Sequence, residues 1–283
     1  VLAPPLAGLR KTPFDTAVSE ELNGVVDPET VWSYSRLTSF DDCKYRWFLQ
    51  YVLKKKRGEP QFFSTFGTFI HEILEKYLSG KLEKDELVQY FLENYDENVV
   101  GEAPTERIAN NFFESALSYL KSVDFPFKSI VATEKKVNFK IGDYKFVGYI
   151  DVLATKGKRY HIVDHKSHGL RHRSGRRFQT AYDKELDQYL RQQYLYSIPI
   201  YDEYGQYPKT LNFNCYRHGR FISEPFDYTR LEETKDWAVA QIEKIRREHD
   251  WDANPDAFKC NYICDMRDHC PYRAQYKSRG GRR

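Results

Sequence analysis

The sequence predicts an α/β fold, a mixed β-sheet flanked by helices, and three observations predict it. Apolar residues recur at helical spacing on either side of the chain's middle. Between them, Val131–Ile141, Tyr144–Ala154 and Lys158–Lys166 alternate as strands do. The resulting order of helix, three-strand meander, helix and strand builds a sheet with helices on its faces.

Each element has a local reason. Ser35 can cap a helix carrying Leu37, Phe40, Tyr45, Phe48 and Val52. A second helix follows Ser64, with Phe66, Phe69, Ile70, Ile73, Leu74 and Tyr77 on one face and Gly80 ending it. Segments 83–95 and 105–122 read as amphipathic helices inside a helical insertion over residues 81–125. Gly142-Asp143 and Lys156-Gly157 supply the hairpin turns of the meander. Helical spacing returns over 183–198, where Pro199 is expected to stop it. Strands are expected over Leu211–Tyr216 and Phe221–Glu224, and a long charged helix over 229–249. No repeat or low-complexity linker divides the chain, so residues 31–275 read as one domain. Residues 1–30, with Pro4, Pro5, Pro13 and Pro28, read as a surface arm, and 276–283 as a basic tail.

Composition narrows the function classes. With 41% hydrophobic residues the chain can bury a globular core, and no apolar run approaches a membrane span. A signal-peptide pattern is also missing, which sets an intracellular address as the expectation. The net charge of +3 is a weak sign of nucleic acid by itself. Its distribution says more: Arg171, Arg173, Arg176 and Arg177 cluster in one loop, and a second basic run follows Arg273. The 22 tyrosines suit a wet groove, because tyrosine packs and hydrogen-bonds at once.

Chemistry concentrates in Val147-Gly-Tyr-Ile-Asp151 and Tyr160-His-Ile-Val-Asp164-His165-Lys166. Asp164 and Lys166 stand two apart on an apolar strand and therefore project from one face. Asp151, expected at the end of the preceding strand, could lie beside Asp164 across an antiparallel pair. Paired carboxylates suit Mg²⁺ or Mn²⁺, hard ions that prefer oxygen. A cation there would polarise a phosphoryl oxygen and activate water. Lys166 would orient that water or stabilise the developing charge. Taken alone, an Asp-x-Lys triplet is more often a surface ion pair. His71, on the second helix, would alone be an ordinary surface or core histidine, with Glu75 one turn away as a further partner.

Four cysteines remain for a metal site once Cys215, inside an apolar strand, is assigned to the core: Cys43 and the trio Cys260, Cys264 and Cys270. Zinc and an iron–sulfur cluster both fit that count. Zinc sites usually draw on paired short spacings, unlike one distant cysteine and a C-terminal trio.

Jointly, Gly67-x3-His71, Gly148-x2-Asp151, Asp164-x-Lys166 and Gln192-x3-Tyr196 resemble the RecB-like branch of the PD-(D/E)XK nucleases. The CRISPR-adaptation nucleases and the nuclease domain of the AddB helicase subunit lie in that neighbourhood. The resemblance runs from about Ser33 to Tyr272 and implies a restriction-endonuclease-like core. It implies that His71, Asp151, Asp164 and the backbone carbonyl of His165 bind Mg²⁺ or Mn²⁺, and that Lys166 is catalytic. Gln192 and Tyr196, one turn apart, would face DNA together. The family usually carries an aromatic or aliphatic residue where His165 stands, so that side chain should point away from the metals.

Some RecB-like nucleases also hold a 4Fe-4S cluster with one N-terminal and three C-terminal cysteines. By resemblance, Cys43 and segment 255–272 would form an iron–sulfur lobe, with Zn²⁺ as the alternative ion. The family spacing is Cys-x2-Cys-x5-Cys, and the first gap here is one residue longer.

The function expected is metal-dependent hydrolysis of DNA, as an exonuclease on single strands or duplex ends. The alternative is a non-catalytic DNA-binding or interaction subunit of a helicase or recombination complex. No Gly-rich phosphate loop is present, so unwinding would need a helicase partner.

Overall fold

A computed structural model describes residues 27 and 29–273. Residues 1–26 and 28 of the expected arm over 1–30, and the basic tail over 276–283, lie outside the described residues. A short strand, β1 (Val31–Trp32), opens the fold, followed by helices α1 (Tyr34–Asp42) and α2 (Lys44–Trp47) and a π-helical turn (Phe48–Val52). Helices α3 (Phe62–Leu78), α4 (Leu87–Asn98) and α5 (Glu106–Ser122) come next. The meander is β2 (Ser129–Ile141), β3 (Tyr144–Lys156) and β4 (Arg159–His165). Helix α6 (Ala181–Tyr204) leads to β5 (Thr210–Cys215), β6 (Arg220–Pro225), α7 (Tyr228–Arg246) and α8 (Ala257–Tyr262).

The sheet is mixed. β2, β3 and β4 pair antiparallel in succession, β4 and β5 run parallel with α6 as the crossover, and β6 closes the edge antiparallel to β5. Two-residue turns join the meander at Gly142-Asp143, as expected, and at Gly157-Lys158, one residue later than expected. The leading glycines adopt φ +56° and +64°, which a residue with a Cβ rarely does.

Both faces of the sheet are covered. Leu37 and Phe40 of α1, Leu186, Leu190 and Leu195 of α6 and Ile242 of α7 pack on Ile150, Ile162 and Phe213. Across the sheet, Phe125 and Phe127 cover Val152, Ala154 and Val163. Helices α3, α4 and α5 share a separate core built on Phe66, Ile70, Phe91 and Leu120.

The helices depart from their expected bounds for identifiable reasons. The first begins two residues early, with Ser33 as the cap accepting from the Arg36 N–H at 3.1 Å, because the chain leaves β1 directly into it. It is also interrupted. Cys43 adopts an extended backbone (φ −163°, ψ 108°), and its sulfur accepts from the N–H groups of Arg46 and Asn254, each at 3.5 Å. Pro199 does not stop α6, which continues to Tyr204 and ends on Gly205 at φ +68°. Burial of Leu195 and Ile200 on the core outweighs the cost of about 3 kcal/mol for an interior proline.

Gly148 joins two of the sequence motifs. A Cβ there would meet Tyr196 Cε1 at 2.2 Å, so the buried tyrosine ring rests directly on the β3 backbone. Gly148→Ala must push Tyr196 off the strand, and urea unfolding should show a loss of about 1–3 kcal/mol. Unchanged stability would mean that the ring is not seated there.

Candidate active site

Four predicted side chains gather as two pairs where β3 and β4 part, His71 with Asp151 and Asp164 with Lys166. The last register pair before the gap is Val152↔Val163, so Asp151 and Asp164 are the next residues on the two strands, with no ladder between them. Asp151 lies within β3, not at its end as expected. Asp164 is 5% exposed and forms an ion pair with Lys166, Nζ to Oδ2 at 2.8 Å. Lys166 lies just past β4, its N–H donating to the Asn214 carbonyl at 2.9 Å. From α3, His71 brings Nδ1 to 3.5 Å from Asp151 Oδ2 and Nε2 to 3.1 Å from the His165 carbonyl. The His165 N–H donates to Asp151 Oδ2 at 2.7 Å. One peptide segment thus touches both the histidine and the first acid. The His165 imidazole has its Nδ1 3.0 Å from the Asn214 amide nitrogen and its ring beside Phe125, and it also meets the His71 ring edge-on with centres 5.5 Å apart, so it adjoins the site.

Glu134 of β2 was not singled out in the sequence. It stands between the register pairs Thr133↔Val152 and Lys135↔Ile150, opposite Asp151, and carries a left-handed backbone at φ +45°. Alternation slips here on β3 as well, since Ile150 and Leu153 enter one core while Val152 enters the other. A glutamate at positive φ costs on the order of 1–3 kcal/mol, and such strain concentrates at functional sites. Its carboxylate lies 3.8 Å from His71 Nδ1, and ligand atoms of His71, Glu134 and Asp151 all fall within 4.8 Å of one another. The only hint in the sequence was a charged Thr133-Glu134-Lys135 interrupting the strand alternation. His71, Glu72, Glu75 and Glu134 line an open cleft of about 550 Å³. Glu75, expected near His71, shares that cleft and pairs with Lys81 at 3.4 Å.

The electrostatics suit a cation. Burial, then the neighbouring Asp164 charge, push the Asp151 carboxyl up to about 7. Burial opposes charging of His71, but Glu134, Asp151 and Asp164 outweigh it and raise its pKa. Burial likewise opposes the charge on Lys166, and the two aspartates hold it firmly protonated. Two acids forced together away from water are relieved by a divalent ion, and one imidazole with carboxylate oxygens is a donor set that such an ion accepts. The residues fit the group.

The other predicted residues are dispersed. Gln192 Nε2 lies 3.4 Å from the Tyr196 hydroxyl, and Tyr196 is largely buried. Arg173 is held between Asp187 at 2.6 Å and the Glu224 carboxylate, pinning its loop to α6 and β6. The Arg171 guanidinium covers the Tyr182 ring at 3.9 Å, and that of Arg177 lies 5.6 Å from the Phe178 ring. Arg176 is exposed.

The cysteines gather around a lobe that joins distant parts of the chain. Cys43, Cys264 and Cys270 pack with Tyr45, Phe48, Met266 and Tyr272. Cys43 is close enough to Cys260, Cys264 and Cys270 to influence the titration of each. Burial raises all three thiols, Cys264 up to about 11. Cys215 is a fully buried core residue, as expected.

A sequence profile of the PD-(D/E)XK nuclease superfamily matches residues 31–273, and the chain belongs to that superfamily. Its members hydrolyse phosphodiester bonds with the help of divalent metals, and a helix able to cross a membrane is not found among the described residues. No curated protein matches the sequence. Among solved structures, the chain is similar to a candidate exonuclease from Eubacterium rectale at 11% identity, covering 93% of this chain and 94% of that one, with a TM-score of 0.47. It is also similar to SSO0001, at 15% identity over 92% and 95% of the two chains, with a TM-score of 0.33. The superfamily assignment rests on the sequence match.

The Asp151 shift sets a pH dependence. Its folded value of about 7 exceeds the ordinary 3.8, so the folded metal-free protein holds more protons than the unfolded chain between those values. Stability should therefore fall as pH rises from about 4 to 7, and the raised His71 acts in the same direction. A cation must displace these protons. Its stabilising effect should grow over the same window and on through the His71 range above 6.5. Thermal unfolding with and without Mn²⁺ at pH 5.5 and 8 measures this, and equal shifts at both would contradict it.

Proposed function

We propose that the protein is a Mg²⁺- or Mn²⁺-dependent deoxyribonuclease of the RecB-like branch, acting as an exonuclease on single-stranded DNA or duplex ends. The observation that carries the reading is the meeting of His71, Asp151, Asp164 and Lys166 from three separate segments at one gap in the sheet. His71, Asp151, Asp164 and the His165 carbonyl would hold the cation, with Glu134 beside them. When bound, the ion supplies a polarised phosphoryl oxygen and a more acidic water. Lys166, kept charged by the two aspartates, presents its ammonium to charge developing on the phosphoryl group. The His165 N–H bond holds Asp151 in place, and the Asp164–Lys166 pair fixes the lysine. Strand contacts would come from Gln192, Arg171, Arg176 and Arg177, with the buried Tyr196 holding the helix that carries Gln192 and Arg173 ordering the loop that carries the arginines. A helicase or recombination partner would supply the unwinding that this chain does not.

The same reading includes a 4Fe-4S cluster on Cys43, Cys260, Cys264 and Cys270, within one domain over 31–275. What supports a shared metal group is the packing of Cys43, Cys264 and Cys270 in one lobe, with Cys43 near Cys260 as well. The family resemblance, rather than the sulfur positions, favours the cluster over zinc.

The decisive assay incubates end-labelled single- and double-stranded DNA with Mg²⁺ or Mn²⁺. Asp164→Ala and Lys166→Ala should each lose at least about 100-fold in rate while still binding DNA. Undiminished cleavage by either variant would overturn the site. For the cluster, anaerobically purified protein should be coloured and contain iron with acid-labile sulfide. Cys264→Ser should lose both and unfold at a lower temperature. A colourless wild type carrying stoichiometric zinc would overturn this assignment.

A further inference from the structure

Near Lys166, a hollow of about 350 Å³ opens between α1, α6 and α7. Tyr34, Tyr189 and Trp237 line it, with Gln188, Arg191 and Thr38 between them. The Tyr189 ring centre lies 5.5 Å from Lys166 Nζ, placing this aromatic wall immediately beside the proposed reaction site. The Arg191 guanidinium lies 4.6 Å from the Trp237 ring centre, and Tyr34 leans on the same indole at 6.0 Å. The Tyr34 hydroxyl donates to the Gln188 carbonyl at 2.5 Å, tying α1 to α6 across the hollow.

We propose that this hollow is a stacking subsite for one unpaired nucleobase of the strand being cut. The proposal rests on the nuclease reading and narrows its substrate to a strand that is single at this position. Three features favour a base over other occupants. Aromatic and guanidinium faces stack any nucleobase, and such stacking needs no sequence information. The volume of about 350 Å³ is enough to seat a nucleobase. Finally, the rim acids Asp41 and Asp42 engage Lys244 at 2.7 Å and Lys259 at 3.1 Å, and Arg191 lies against the Trp237 ring, so the cation this reading leaves for a phosphate is Lys166. The backbone therefore passes outside, toward Lys166, while the base turns inward. A duplex must fray by at least one pair before its phosphate can reach the lysine in this pose.

The test is a cycle in which the base and the ring are removed in turn. Short single strands carrying one abasic residue at successive positions are titrated against the full chain in EDTA, which prevents cleavage. At one position, loss of the base should weaken binding to the wild type by about tenfold. In Trp237→Leu and Tyr189→Leu that penalty should shrink toward unity, whereas Trp237→Phe and Tyr189→Phe should retain it. Making the two leucine variants separately, each checked for its unfolding temperature, keeps the test valid if one misfolds. Equal penalties in wild type and folded leucine variants, or no sensitive position, would overturn the subsite. Coupling without any DNA cleavage would keep the subsite and remove the nuclease reading. Cleavage without coupling would do the reverse.

Discussion

Beyond Val152↔Val163 the ladder between β3 and β4 stops, and two aspartates face the opening with little water to screen them. Every nearby feature answers that unfavourable pairing. Lys166 meets Asp164, the His165 N–H meets Asp151, and the charge remaining on Asp151 is countered by raising its affinity for a proton. A fold that tolerates such a concentration of charge has a place ready for a divalent cation. His71 completes it from outside the sheet, because α3 is anchored by its own core with α4 and α5. The strained backbone of Glu134 belongs to the same arrangement, since the slip in alternation lets neighbouring residues of β2 and β3 serve the cleft and both cores.

The parts that were legible in the sequence are those governed by short-range rules. Alternation and glycine turns gave the meander, because period two and positive φ are local properties. The Asp-x-Lys spacing put two side chains on one face for the same reason. His71 became meaningful only alongside the other motifs, since its approach to Asp151 depends on how α3 packs. Glu134 escaped notice because its contribution follows from a backbone irregularity that no residue type announces. The break at Cys43 was hidden by good helical periodicity on both sides, while the two N–H groups reaching its sulfur come from Arg46 and the distant Asn254. Pro199 misled in the other direction, as burial of α6 overrides the local cost.

Gly148 shows how separate motifs become one object. Its missing side chain admits Tyr196, which holds α6 at a fixed height over β3. The same helix carries Tyr189 to Lys166 and, through Asp187 and Asp183, fastens the arginine loop by Arg173 and Ser174. Displacing α6 would therefore disturb the reaction site, the aromatic hollow and the basic loop together.

The cysteine lobe imposes an order in time. Tyr45 packs against Tyr272 with ring centres 5.0 Å apart, and Arg46 pairs with Asp265 at 2.8 Å. On the ribosome, α2 must wait for nearly all the rest of the described chain to be made before its partners exist. The sheet can assemble earlier, since strands β2 to β6 lie between these two segments and β1 precedes both. Closing the lobe is thus a late event, and until then Tyr45 lacks its Tyr272 partner and Arg46 its Asp265 counter-ion.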